Sequence, residues 1–358
     1  MNNKPLRTLV VGCGRMGSTH AKVYHELPDF EIVGLVSRGP SNAELAKKLG
    51  GGIALFSNFS EALKNTRPDV VSISTYPDTH EEYGVAALES GAHVFLEKPM
   101  ATTVEAATRI AEAARKAERK LVIGYGLRHH PTWIKFIDVA RTLGKPLVMR
   151  MNLNQQSRAE TWDVAKSLLK SSSPLVDCGV HYVDVMCQMT NSTPVRVSAM
   201  GARLSDEIAA DMYNYGQLQV VFKDGSVGWY EAGWGPMMSE TAYFVKDVVG
   251  PKGCVSIVGK SGGDVRSDRF DAHGKTDCLR VHHSQLDKNG VFTKEDEYLD
   301  MNDEPDHYQI CVREQLYLLK AIRENIDLTK HLADGISSLR IVLAADESVR
   351  TGRTVELK

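Results

Sequence analysis

The stretch Leu6-Arg7-Thr8-Leu9-Val10-Val11-Gly12-Cys13-Gly14-Arg15-Met16-Gly17 decides the reading of the chain. Leu6 to Val11 is an apolar, β-branched run of strand length, and a GxGxxG cluster follows it and opens a helix. Gly12 permits a tight turn, Gly14 lets the backbone approach a pyrophosphate, and Gly17 allows the helix to pack closely on the strand. The helix N-terminus then turns free N–H groups and a positive dipole end toward the phosphates. The spacing also fits GxxxxG, but Ser18 stands where a nucleoside-triphosphate loop needs Lys, which disfavours an NTPase. A dinucleotide site is expected here, with Gly12, Gly14, Arg15, Met16 and Gly17 as its phosphate turn.

Working outward, short apolar runs alternate with helical stretches over the first 125 or so residues. The expected strands are Leu6 to Val11, Glu31 to Ser37, Val70 to Thr75, His93 to Glu97 and Lys120 to Gly124. Thr102, three residues before Glu105, has capping-box spacing and opens an alanine-rich helix to about Glu118, while Gly91 stops the helix before it. Apolar strands joined by crossovers predict a doubly wound parallel sheet, the α/β class.

From about Gly126 strands follow one another through turns. Lys223-Asp224-Gly225-Ser226 separates Gln217–Phe222 from Val227–Tyr230, and Gly250-Pro251-Lys252-Gly253 separates Tyr243–Val249 from Cys254–Val258. This predicts a second, mainly antiparallel sheet in an α+β region. Helices are expected near Tyr182 to Met189, Pro305 to Asn325 and Leu339 to Val349, and a long loop or weak meander over Ser261 to Asn289. At 358 residues two domains are expected, 1–126 and 127–358, with the last helix able to pack back on the first.

Composition narrows the function classes. Lys+Arg 43 against Asp+Glu 45 leaves a net charge of −2, which offers no surface for nucleic acid or lipid. No run approaches the roughly 18 to 20 apolar residues of a membrane helix. Strand-like sequence begins almost at once, at Leu6, so no secretory signal is expected in this stretch. Six scattered cysteines, Cys13, Cys178, Cys187, Cys254, Cys278 and Cys311, form no CxxC pair. A reducing cytoplasm fits that pattern, and no metal site is expected.

Ligands of open α/β sheets sit beyond the carboxyl ends of the strands. At the end of the second strand an NAD site normally carries Asp or Glu; this chain has Ser37-Arg38, a hydroxyl and a guanidinium that suit a 2′-phosphate, so NADP is favoured over NAD. After Val70–Thr75 come Thr75, Pro77 and His80, and after His93–Glu97 come Glu97-Lys98-Pro99. Pro99 holds Lys98 extended, by a trans or a cis bond. On these residues alone Lys98 is equally a functional ammonium or an exposed cation. In Asp177-Cys178-Gly179-Val180-His181-Tyr182-Val183-Asp184, a helix would put Asp177, His181 and Asp184 on one face. No further His or Cys stands at metal-binding spacing, so proton transfer by His181 is set against a satisfied core histidine. His129-His130 and His282-His283 read as structural or exposed.

Together these marks resemble the oxidoreductase family named after glucose-fructose oxidoreductase, inositol dehydrogenase and the rhizopine-catabolism protein MocA. The resemblance spans nearly the whole chain. It rests on Gly12-x-Gly14-x-x-Gly17 with His20, Thr75-x-Pro77 with His80, Glu97-Lys98-Pro99, Gly124-Tyr125 with Arg128, and Asp177-x-Gly179-x-His181-x-x-Asp184. Phe222-x-Asp224-Gly225, Asp334-Gly335 and Ser348-x-x-Thr351-Gly352 add to it. It implies a Rossmann domain, an open-faced sheet domain, a nicotinamide cofactor, and redox chemistry on a secondary alcohol or ketone of a sugar or polyol. By the same resemblance Lys98 is the catalytic lysine, Asp177 and His181 are the active-site pair, and Arg128 and Trp162 touch substrate. It also implies homodimers or homotetramers built on the open sheet face. A glycosidase that retains NAD for transient oxidation, a non-catalytic nucleotide-binding regulator, and a reductase of imines or trans-dienes stay open.

Overall fold

Six strands and five α-helices precede position 126 among the described residues, and each takes its place in or around one parallel sheet. The computed structural model describes residues 4–239, 245–258, 276 and 278–357. The N-terminal stretch runs β1 (Leu6–Val11), α1 (Arg15–Glu26), β2 (Phe30–Val36), α2 (Ser41–Lys48), β3 (Leu55–Phe56), α3 (Phe59–Thr66), β4 (Val70–Ile73), α4 (His80–Glu89), β5 (His93–Leu96), α5 (Val104–Ala117) and β6 (Leu121–Ile123). The sheet order is β3-β2-β1-β4-β5-β6, all pairs parallel. Leu9, Val10, Val71, Val94 and Val122 are wholly buried, as strands covered on both faces require.

Local chemistry sets the ends. The Thr103 hydroxyl, not that of Thr102, accepts the Ala106 N–H and caps α5. Thr103 has the extended backbone of an N-cap, and the reading from Thr102 was one residue early. Gly91 takes φ +92° just past α4, where only glycine turns the chain without strain.

The next stretch runs α6 (Pro131–Thr142), β7 (Val148–Gln156), α7 (Glu160–Leu168), α8 (Pro174–Asp177), α9 (Gly179–Thr190), β8 (Pro194–Ala202), β9 (Tyr215–Phe222), β10 (Val227–Gly235), β11 (Lys246–Gly250), β12 (Gly253–Val258), β13 (Cys278–His283) and β14 (Glu297–Asp300). Then come α10 (His307–Arg323), α11 (Thr329–Thr351) and β15 (Val355–Glu356). The second sheet has nine strands in the order β14-β13-β12-β11-β7-β10-β9-β8-β15, antiparallel except for β7 beside β10. Both expected hairpins form, with Gly225 at φ +83° in the first. Tyr243 and Phe244 of the expected strand Tyr243–Val249, and residues 261–275 and 277 of the expected stretch Ser261 to Asn289, lie outside the described residues. Strand β13 falls in the stretch Ser261 to Asn289, where a long loop or weak meander was expected, and takes the meander form, paired antiparallel with β12 on one side and β14 on the other.

Two units result. Residues 1–126 with 307–336 make one, and residues 127–306 with 337–358 make the other. Helix α10 thus belongs with the parallel sheet: Leu318, Leu319, Ala321 and Leu328 share a core with Val10, Tyr24, Phe95 and Val122. Residues 307–336 thus group with the first unit and not with the stretch that follows 126.

Candidate functional site

In the first unit the glycine turn has the form its spacing implies. Gly12 sits at φ +88°, and a Cβ there would lie 2.4 Å from the Ser74 carbonyl oxygen. A Cβ on Gly17 would lie 1.7 Å from the Gly12 oxygen, so α1 could not approach β1 with any other residue. Gly14 is the reverse case: it is exposed and a Cβ would meet nothing within 4 Å. The first turn of α1 holds no acidic residue and no side-chain cap, leaving its N–H groups to an anion. At the end of β2 the Ser37 and Ser41 hydroxyls are 2.7 Å apart, and Arg38 is exposed.

The loops after β4 and β5 are tied together by His80. Its fully buried ring lies between the carbonyls of Thr75, 3.1 Å from Nε2, and Pro99, 3.0 Å from Nδ1. Burial holds its pKa below the ordinary value against the pull of those carbonyls. Pro77 opens a single 3₁₀ turn between Thr75 and α4. Lys98 follows β5, half-buried, and the Lys98–Pro99 bond is cis.

Glu97 is buried, with Oε1 2.9 Å from His20 Nε2 and Oε2 accepting the Lys98 N–H at 3.2 Å. Burial opposes its charge, yet the His20 hydrogen bond and the nearby His20 and Lys98 prevail and keep its pKa below the carboxylate norm. Glu314, also buried, goes the other way: burial and the proximity of Glu97 push its pKa well up. Donor atoms of His20, Cys311 and Glu314 lie within 4.8 Å of one another. Both His20 ring nitrogens are already engaged, by Glu97 and Gln315, which leaves neither to ligate a cation.

In the second unit, Ser173 caps α8 and accepts the Val176 N–H at 3.2 Å. Asp177 ends α8, and Cys178 intervenes before α9 starts at Gly179. The single helical face expected over 177–184 is therefore broken after its first residue. Gly179 lets α9 lie on β10: a Cβ there would come 2.9 Å from the Tyr230 ring. Val180, Tyr182 and Val183 are buried, while Asp177 and His181 remain partly exposed.

Asp184 does not join that pair at the surface. It is 1 % exposed and takes a two-pronged bond from Arg128, 2.8 Å from Nε and 2.5 Å from Nη2, with Gln188 and Ser338 as further donors. Trp162 is buried in a satellite core with Ala165, Leu169, Ile208 and Trp234, and its indole N–H goes to Glu207 at 3.1 Å. Burial lowers His129 to about 4; His282 and His283 pair with Asp296 and Glu297.

Several polar residues were invisible in the sequence. Tyr24, Gln315 and Glu314 assemble behind Glu97 from segments almost 300 residues apart. Lys246, at the start of β11, is 3 % exposed; it donates to the Asn152 carbonyl and stands 5.2 Å from the Tyr182 ring. Burial lowers it to about 7.

Comparison with known proteins agrees with this architecture. Residues 6–125 match the oxidoreductase family with the NAD-binding Rossmann fold, and residues 137–260 match the GFO/IDH/MocA C-terminal domain. D-glucoside 3-dehydrogenase of Escherichia coli is 28 % identical over 190 residues, 51 % of this chain and 54 % of that protein. Inositol 2-dehydrogenase of Paracoccus denitrificans is 31 % identical over 148 residues, 40 % and 44 % of the two chains. The chain thus spans about half the length of these curated relatives. Among solved structures, apo scyllo-inositol dehydrogenase from Lactobacillus casei superposes with TM-score 0.78 at 19 % identity, covering 99 % of each chain. GenD2 from gentamicin A biosynthesis, in complex with NAD, gives 0.75 at 21 %, covering 99 % of this chain and 97 % of that one. With family matches over more than half its length, and the glycine turn and two-sheet fold described above, this chain belongs to the GFO/IDH/MocA oxidoreductase family.

Proposed function

We propose that the protein is a nicotinamide-dependent oxidoreductase that moves a hydride between cofactor and a secondary alcohol or ketone of a sugar, inositol or related polyol. The observation that carries this reading is Lys98, set at the carboxyl edge of the parallel sheet that bears the open glycine turn, its backbone N–H held by Glu97. The dehydrogenase names of the curated relatives support the substrate class. Gly12, Gly14, Arg15, Met16 and Gly17 would receive the pyrophosphate, and the Thr75, Pro77 and His80 loop with Glu97 would shape the nicotinamide end. A bound nicotinamide supplies the hydride acceptor or donor.

In the oxidising direction His181 takes the hydroxyl proton while Lys98 hydrogen-bonds the same oxygen and stabilises its developing negative charge. Asp177 orients the imidazole. Arg128, already paired with Asp184, would reach substrate only through whatever donors that pair leaves over, and Trp162 would act through the shape of its packed segment. Ser37 and Arg38 favour NADP over NAD.

A second copy of the chain is proposed to cover the open face of the nine-stranded sheet. By register Val148, Val227, Val249, Met200 and Tyr298 share that face, and all are exposed. A reducing, cytoplasmic setting is part of the reading and is supported by six cysteines that form no disulfide.

The test is an absorbance assay at the reduced-nicotinamide band, pairing NAD and NADP with inositols, aldoses and keto-sugars. Polyol-dependent reduction supports the reading. Release of nitrophenol from nitrophenyl glycosides without net cofactor change would favour the glycosidase, and cofactor binding with no turnover across the panel would favour the regulator. Lys98→Ala and His181→Ala should each lower kcat about 10²- to 10⁴-fold with little change in cofactor Kd. The double variant should be little worse than the poorer single one if both act in one step.

A further inference from the structure

Lys98 follows directly on Glu97, so whatever fixes the Glu97 carboxylate also fixes the lysine's backbone. That carboxylate is engaged on both oxygens, by His20 Nε2 and by the Lys98 N–H. His20 and Gln315 are fully buried, and Gln315 Nε2 lies 3.0 Å from His20 Nδ1. Behind Gln315 stands Tyr24, also fully buried, whose hydroxyl donates to Gln315 Oε1 at 2.5 Å.

The chain of bonds has one polarity. Burial pushes the Tyr24 phenol up, so it stays a donor. Gln315 turns its oxygen to the Tyr24 hydroxyl, which leaves its NH₂ facing His20 Nδ1. Nδ1 of His20 accepts, which puts the ring proton on Nε2, facing Glu97. The other titratable groups beside this chain are Glu314 and Cys311 of α10: burial and Glu97 push the Glu314 pKa up, which opposes its charge, and the Cys311 thiol is 1 % exposed.

We propose that Gln315 is a positioning residue for Lys98, acting through the His20 tautomer and the Glu97 carboxylate. The inference rests on the reading of Lys98 as the catalytic lysine. It assigns a share of the active site to α10, a helix whose sequence carries none of the family's marks near residue 315.

The test compares the parent with Gln315→Met, Gln315→Glu and Lys98→Ala. Gln315→Met keeps the volume and removes both hydrogen-bonding ends. It should lower kcat about tenfold or more, with KM and cofactor Kd within about threefold. The Lys98 ammonium is followed without substrate, by NMR of the reductively ¹³C-methylated protein, its signal assigned with Lys98→Arg. In Gln315→Met its titration midpoint should fall by about half a unit or more, because Glu97 without its firm His20 partner holds its charge less well. Gln315→Glu accepts from Tyr24 and from a second His20 proton, and should return both readouts toward the parent. A role confined to stability would lower the melting temperature and leave both unmoved.

Parental kcat and Lys98 midpoint in Gln315→Met, with Lys98→Ala inactive, overturn the inference. Parental turnover in Lys98→Ala overturns the functional reading instead. Should Gln315→Met fail to fold, Tyr24→Phe removes a single hydroxyl and should shift both readouts the same way by less; parental values there are equally fatal.

Discussion

Arg38 and Lys246 stand at opposite extremes of burial. Arg38 is exposed at the end of β2, where no carboxylate stands between Ser37 and Ser41 to repel a phosphate. A charge-assisted contact at such a site is worth about 1 to 2 kcal/mol, so NADP should bind about ten- to thirtyfold more tightly than NAD. Arg38→Ala should weaken NADP alone, and equal dissociation constants for the two cofactors in the parent would refute the preference. Lys246 sits wholly inside the second unit at about 7, against an ordinary 10.5. Between those values the unfolded chain holds the proton and the folded chain does not, so folding stability rises as pH goes from about 7 to 10.5. Lys246→Met should flatten that rise and stabilise the protein at pH 6 by about 1 to 4 kcal/mol, as read from urea melts across that range. Unchanged pH dependence in the variant would show that another group carries it.

Among the elements, α9 carries its stability in a buried ion pair. Asp184 and Arg128 are both nearly removed from solvent, and each satisfies the other at two points. Asp184→Ala leaves the guanidinium uncompensated and should cost about 3 to 5 kcal/mol. Replacing both, Arg128→Met with Asp184→Leu, should cost less than Asp184→Ala alone, because desolvation of two charges is avoided. A double variant less stable than the single one would mean that the pair is worth more than its burial costs. The sequence pattern that put Asp177, His181 and Asp184 on one face was half informative. It located the segment, but the break at Cys178 and the pull of Arg128 separate Asp184 from the other two.

For the whole molecule, unit boundaries follow hydrophobic burial more closely than chain order. Leu318, Leu319, Ala321 and Leu328 complete the core around Tyr24, Phe30 and Phe95. The fragment 1–126 would leave that apolar surface in water at roughly 25 cal/mol per Å², a large loss against the 5 to 15 kcal/mol by which domains are stable. It should show no cooperative thermal transition by circular dichroism, whereas 1–126 joined by a flexible linker to 307–336 should recover one. A cooperative transition in 1–126 alone would show that α10 is dispensable.

The parallel sheet, the phosphate turn and the first hairpin of the second sheet could be read from the chain because each is a local matter. GxGxxG, Asp-Gly between strand-like runs, and glycine after a helix act on neighbouring residues through backbone sterics, and these are written within a few positions. Lys98, Asp177 and His181 are candidates through the family resemblance of their motifs, since the residues alone left a surface cation and a core histidine open. What surrounds them could not be read from the chain. Gln315 finds His20 across 295 residues, His80 bridges two loops, burial shifts the pKa of Lys246 down and that of Glu314 up, and β13 is a strand because β12 and β14 pair with it. Burial and long-range hydrogen bonding depend on which distant segments meet, and only the tertiary structure decides that.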